Sequence, residues 1–148
     1  MKYWLLTTEF PPIHGGGIST YCWHTAKMLS EAGHSVTVFV NDYSVSRIAR
    51  DSPINNVEVV RFCPNQVVKG EVLGVATRLS IEFAKIVELE MEQHGIPDIL
   101  ETQDYMGIGY YTLQKKQLLY PNFKALKVVM TMHAPGFLYF EYNQVLHY

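Results

Sequence analysis

Three consecutive glycines, Gly15-Gly16-Gly17, stand directly before a stretch whose apolar residues recur at helical spacing. A helix entered this way presents unpaired backbone N–H groups and the positive end of its dipole, and glycines let an anion approach the backbone closely, so the spacing suits a phosphate or a carboxylate. It is not the dinucleotide fingerprint, which needs a further glycine at Ser19 or Thr20, nor a P-loop, because no Gly-Lys-Ser/Thr follows. The alternative is a turn that requires positive φ. His133 follows Met130-Thr131-Met132 at the end of an apolar run, where an imidazole could bond a sugar hydroxyl or stabilise charge near a reacting bond; it could equally cap the next segment.

A second polar group, Glu101, Gln103, Asp104 and Tyr105, closes another apolar run. Tyr105 is suited to stacking on a sugar face and the others to binding hydroxyls. The structural alternatives are Asp104 as an N-cap and Glu101 paired with a surface cation. Glu9, beside Phe10, is either a carboxylate in a crevice or the edge of a proline turn. The aromatic set Phe137, Tyr139, Phe140, Tyr142 and Tyr148 could line a sugar or lipid acceptor surface or serve packing within or between domains. Cys22 and Cys63, 41 positions apart with no second pair, suggest neither a zinc site nor a disulfide framework, and no catalytic triad order or His-Glu-x-x-His is present.

These residues need a scaffold to bring them together. With 148 residues, 48% hydrophobic and 18% charged, the chain fits one domain, residues 1–148, with a core of its own. A net charge of −2 from 12 basic and 14 acidic residues leaves no basic stripe for nucleic acid. The N-terminal apolar run is too short for a signal segment and none is long enough to span a membrane, which makes the cytoplasm the default and leaves peripheral membrane contact open.

Tyr3–Thr7 reads as a first strand, and Ile18, Tyr21, Cys22, Thr25, Met28, Leu29 and Ala32 mark one face of a helix ending at Gly33. His34–Val40 and Val57–Phe62 are strands separated by a polar loop containing Pro53 and Asn55-Asn56. A helix over Leu73–His94 carries Ala76, Leu79, Phe83, Ile86 and Val87 as its stripe, with Glu82, Glu88, Glu90 and Glu92 around it. Asp98–Thr102 is a fourth strand, Tyr105–Leu118 a helix and Leu126–Met132 a fifth strand. Alternating elements with near-continuously apolar strands predict an α/β fold, a Rossmann-like doubly wound, mostly parallel sheet with helices on both faces. In the strand order 3-2-1-4-5 the switch point falls between the first and fourth strands, so the loops 9–17 and 103–105 would face one another with His133 beside them.

Phe10-Pro-Pro-Ile-His-Gly-Gly-Gly-Ile18, Ala26-Lys-Met-Leu-Ser-Glu-Ala-Gly-His-Ser-Val-Thr-Val38, Pro97-Asp-Ile-Leu-Glu101 and Thr131-Met-His133 together resemble the N-terminal part of retaining, family-4-type glycosyltransferases, across essentially the whole chain. The resemblance implies a GT-B enzyme, with two Rossmann-like domains facing a cleft, of which this would be the acceptor-side one. It implies that Gly16 and Gly17 contact the donor diphosphate, with Gly15 a one-residue addition, and that His133 lies near the donor sugar at the reaction centre. It further implies transfer from a nucleoside-diphosphate sugar to a saccharide or lipid-linked acceptor with retained configuration, using no metal and no cofactor beyond the donor. In that family the remaining donor-binding residues lie in a second, C-terminal domain, so the 148 residues alone are expected to be inactive. The aromatic tail stops without a helix-ending signal, which reads as a chain that continues. A non-catalytic module binding a carbohydrate or phosphorylated ligand is the competing reading; a nicotinamide-dependent oxidoreductase is disfavoured by the missing glycine pattern.

Overall fold

The computed structural model describes residues 1–12, 15–64, 74–133 and 141–142. Among these, β1 (Lys2–Thr7), β2 (Ser35–Asn41), β3 (Ala49–Ile54), β4 (Val57–Phe62), β5 (Ile99–Gln103) and β6 (Val128–Thr131) form one sheet in the order β3-β4-β2-β1-β5-β6. Every pairing is parallel except β3 with β4. Without β3, this is the expected 3-2-1-4-5 order. The helices α1 (Gly17–Glu31), α2 (Val75–His94) and α3 (Tyr110–Gln117) complete the doubly wound α/β architecture.

The strand period of two divides the core. Tyr3, Leu5, Val36, Val38, Val40, Val57 and Val59 face α1 and meet its Cys22 and Ala26, while Trp4, Leu6, Phe39, Val60 and Phe62 meet Leu79, Phe83, Ile86, Val87 and Met91 of α2. Because both faces are covered, the strands read as apolar runs instead of alternating ones. Lys2 ties β1 to the end of α2: its ammonium donates to the carbonyls of His94 at 2.5 Å and Gly95 at 2.6 Å.

Several expected elements are corrected. The polar loop before β4 contains an edge strand, β3, whose middle residues are exposed. Pro53 is tolerated there because an edge strand need not donate on both sides and because the ladder is irregular between Asp51 and Ile54, and Asn56 turns the hairpin at φ 56°. On α1 the buried positions are Ser19, Cys22, Ala26 and Ser30, small residues that let the helix lie close to the sheet, whereas Met28 is 60% exposed. The Cys22 thiol in this contact is pushed up to about 12 by burial, which outweighs a bond from Thr7 and is helped by the Glu101 and Glu9 charges.

On α2, Glu82 and Glu90 are buried, not arrayed around the helix. Glu90 is held by Arg50 from β3 and by His94 one turn on. Ala76 is exposed, and Leu73 lies outside the described residues. The helix expected over Tyr105–Leu118 is broken, because Met106 at φ 55° and Gly107 at φ 61° leave the helical region; a 3-10 turn over Tyr105–Gly107 precedes the shorter α3. β6 begins two residues later than expected, since Leu126 is buried after a 3-10 turn over Phe123–Ala125.

Gly109 shows how tightly α3 is set on the sheet. A Cβ there would stand 2.6 Å from both Cγ2 and Oγ1 of Thr102, a fully buried β5 residue that has no room to yield. We expect Gly109→Ala to cost roughly 1–3 kcal/mol through overpacking. Urea unfolding checks this; an unchanged midpoint would show that the helix start can shift freely.

Candidate functional site

The carboxyl ends of β1, β5 and β6 lie side by side, and β1 and β5 are the neighbours at which the chain connections depart in opposite directions, the switch point of the sheet. Register sets which side chains meet there. Glu101 stands opposite Leu5 on β1 and Val129 on β6, and Gln103 stands opposite Thr131, so Glu101, Gln103 and Thr131 share the face on which α1 lies.

Glu101 is 2% exposed, and its carboxylate gathers four donors. Tyr3 donates to Oε2 at 2.5 Å, while Tyr21 at 3.0 Å, Thr131 at 2.7 Å and the Gln103 amide at 3.2 Å donate to Oε1. The Tyr3 hydroxyl is held protonated well above the usual phenol range, chiefly by burial and then by its bond to Glu101 and the Glu101 charge. Donors from β1, α1, β5 and β6 thus converge on one carboxylate, rather than the surface cation weighed from sequence.

His133 joins the same group. Its ring Nε2 bonds Gln103 Oε1, its ring meets Tyr21 edge-on at 4.9 Å between centroids, and its backbone N–H donates to Asp104 Oδ1 at 3.1 Å. Asp104 therefore holds the β6 terminus; its side chain caps no helix. Tyr105 is 49% exposed, one residue beyond Asp104.

The glycine segment closes the other side. Neither Gly16 nor Gly17 has positive φ, and a Cβ at Gly15 or Gly17 would meet nothing within 4 Å among the described residues. At Gly17 neither a positive φ nor packing among the described residues calls for glycine. Gly16 precedes the first residue of α1 with extended backbone, φ −110°, and no side-chain hydrogen bond caps it among the described residues. A Cβ on Gly16 would lie 2.6 Å from Glu9 Oε2. That oxygen is buried with no hydrogen-bond partner among the described residues, so Glu9 puts a carboxylate against the helix start, where the dipole favours an anion. The backbone of Glu9 is held by reciprocal bonds with the Thr7 hydroxyl, at 3.0 and 3.2 Å.

All the expected site residues thus fall around one mouth of the sheet: Glu9, Gly15, Gly16 and Gly17 on one side, and Glu101, Gln103, Asp104, Tyr105 and His133 on the other. Phe137, Tyr139, Phe140 and Tyr148 lie outside the described residues, and Tyr142 is 81% exposed. Tyr3, Tyr21 and Thr131 are network members that the sequence reading missed as such. Periodicity placed Tyr21 correctly on a packing face, and only its hydroxyl tip gave any signal. A cavity of about 640 Å³ runs along the flank of α1 beside this mouth and shares Tyr3, Tyr21 and Glu101 with it. No helix among the described residues is long and apolar enough to cross a membrane.

A Rossmann-like domain with its ligand-facing loops at the switch point is one half of the GT-B architecture. The chain belongs to glycosyltransferase family 4, whose sequence model matches residues 15–148. Its fold is similar to sucrose-phosphate synthase from Thermosynechococcus elongatus, with TM-score 0.70 and 16% identity over 95% of this chain and 35% of that one. It is also similar to the catalytic domain of starch synthase IV from Arabidopsis thaliana, solved bound to ADP and acarbose, with TM-score 0.64 and 16% identity over 89% of this chain and 33% of that one. The chain thus spans about a third of each. No curated protein sequence matches it.

Proposed function

We propose that this domain is the acceptor-side half of a glycosyltransferase that moves a sugar from a nucleoside diphosphate to a saccharide or lipid-linked acceptor with retention of configuration. A second domain would hold most of the nucleotide, so the domain alone would be inactive. The observation that carries the reading is the convergence at one mouth of the α1 start, glycines with open space beside them among the described residues, and His133.

In this reading the α1 amides stabilise charge that grows on the departing diphosphate, which lowers the barrier because the interaction strengthens in the transition state. The His133 imidazole bonds a donor-sugar hydroxyl. Glu9, Asp104 and the exposed Tyr105 ring receive the acceptor, whereas Glu101 and Gln103 hold the mouth in shape. The nucleotide sugar is a substrate, and the chemistry calls for no resident metal or cofactor. The enzyme would work in the cytoplasm, at or near a membrane if its acceptor is lipid-linked.

Gly17→Val tests the phosphate role, since a Cβ there meets no atom of the described residues within 4 Å. In the full-length enzyme, assayed across a panel of nucleotide sugars, we expect turnover to fall roughly ten- to a hundredfold with folding unchanged, the scale of losing a transition-state hydrogen-bond donor. Unchanged kinetics would remove the diphosphate role, and binding of a sugar without any transfer would favour the non-catalytic module.

A further inference from the structure

The polarity of the Glu101 network reaches His133 through a single side chain. A carboxylate has no proton to give, so all four groups on Glu101 must donate to it, including the Gln103 amide. With its NH2 turned toward Glu101, Gln103 presents its carbonyl oxygen, which only accepts, to Nε2 of His133. Gln103 is 1% exposed on the last position of β5 and cannot turn its amide over without setting N–H against the imidazole and a lone pair against the carboxylate.

We infer that Gln103, oriented by Glu101, is a positioning residue that fixes His133 as the Nε2–H tautomer and leaves Nδ1 as the ring's hydrogen-bond acceptor. Nδ1 has no partner among the described residues, so it is the ring atom left for a ligand. A group that must donate to Nδ1 is a hydroxyl or an amine, not a phosphate or a carboxylate. This deepens the functional reading, on which it rests for the ligand's identity. His133 would select a sugar hydroxyl as donor, and the anionic part of the substrate would be left to the α1 terminus. Tyr21, edge-on to the ring and bonded to the same Glu101 oxygen, keeps the imidazole plane in place.

Ring-nitrogen NMR of the chain with isotope-labelled histidine tests the tautomer without any substrate. The expected result is one protonated Nε2 and one unprotonated Nδ1 for His133, with the Nε2 proton protected from exchange. Gln103→Lys, whose ammonium pairs with Glu101 and can only donate, should invert the ring to Nδ1–H and lower transfer in the full-length enzyme at least tenfold. Gln103→Glu, whose acid form keeps the donor and acceptor ends of the amide, should retain Nε2–H. A wild-type ring protonated at Nδ1, or a lysine variant that keeps Nε2–H, would overturn the inference. The wild-type spectrum decides even where the lysine variant does not fold. An Nε2–H ring in a protein that transfers no sugar would leave the tautomer standing and the functional reading refuted.

Discussion

Phe83→Ala should unfold at a much lower urea concentration than the parent chain, with a loss of about 3–5 kcal/mol. Phe83 is completely buried on α2 and meets Phe62 of β4 edge-on, with centroids 5.0 Å apart. It sits in the cluster that joins β1, β2, β4 and β5 to α2, so a truncation there leaves a cavity bounded by sheet and helix, neither of which can close it without moving the other. A domain of this size is stable by only about 5–15 kcal/mol, so the loss is a large share of the total. The midpoint and slope of urea denaturation measure it; a loss under about 1 kcal/mol would mean the α2 layer is loosely packed.

One position earlier, the opposite change should stabilise. Glu82 is wholly buried, neither carboxylate oxygen has a hydrogen-bond partner among the described residues, and burial, only partly offset by the Arg78 charge, raises its pKa from 4.5 to about 7. The sign follows from proton uptake. Between these two values the folded chain keeps a proton that the unfolded chain releases, so stability falls as pH rises through the window and stays low above it. A shift of this size corresponds to roughly 2–4 kcal/mol. Glu82→Met should therefore be more stable than the parent by about that amount at pH 8 and close to it below pH 4.5, with a flatter profile between. Equal stability at pH 8 would show that Glu82 is hydrated or paired in solution.

Glu82 also marks where sequence stops being informative. Helix, strand order and switch point were legible because hydrophobic period and chain breakers report burial directly: Val36, Val38 and Val40 do lie on one face, and Gly33 and Gly95 do follow helix ends at positive φ. A glutamate on the buried face looks no different from one beside the stripe until the neighbouring helix and strands are in place. The edge strand β3 was hidden for a related reason, since pairing on one side with exposed residues leaves little apolar pattern to read.

The site divides along similar lines. Motif spacing singled out Gly16, Gly17, Glu101, Gln103 and His133 as candidates, but what brings them together is strand register. Nothing in the order Tyr3, Tyr21, Glu101, Thr131 shows that β1, α1 and β6 bring three hydroxyls to one carboxylate on β5. Nor does the sequence show that Gly15 and Gly17 have open space among the described residues where a side chain would go.

The most direct measurement of the central claim is a backbone amide NMR titration of the chain with a nucleoside-diphosphate sugar and, separately, with inorganic pyrophosphate. The account predicts that the resonances of Gly15, Gly16, Gly17 and Ile18 move with both ligands, and that His133 moves with the sugar nucleotide alone. Glycine amides that stay fixed at millimolar ligand, or shifts confined to residues remote from the ends of β1, β5 and β6, would contradict it.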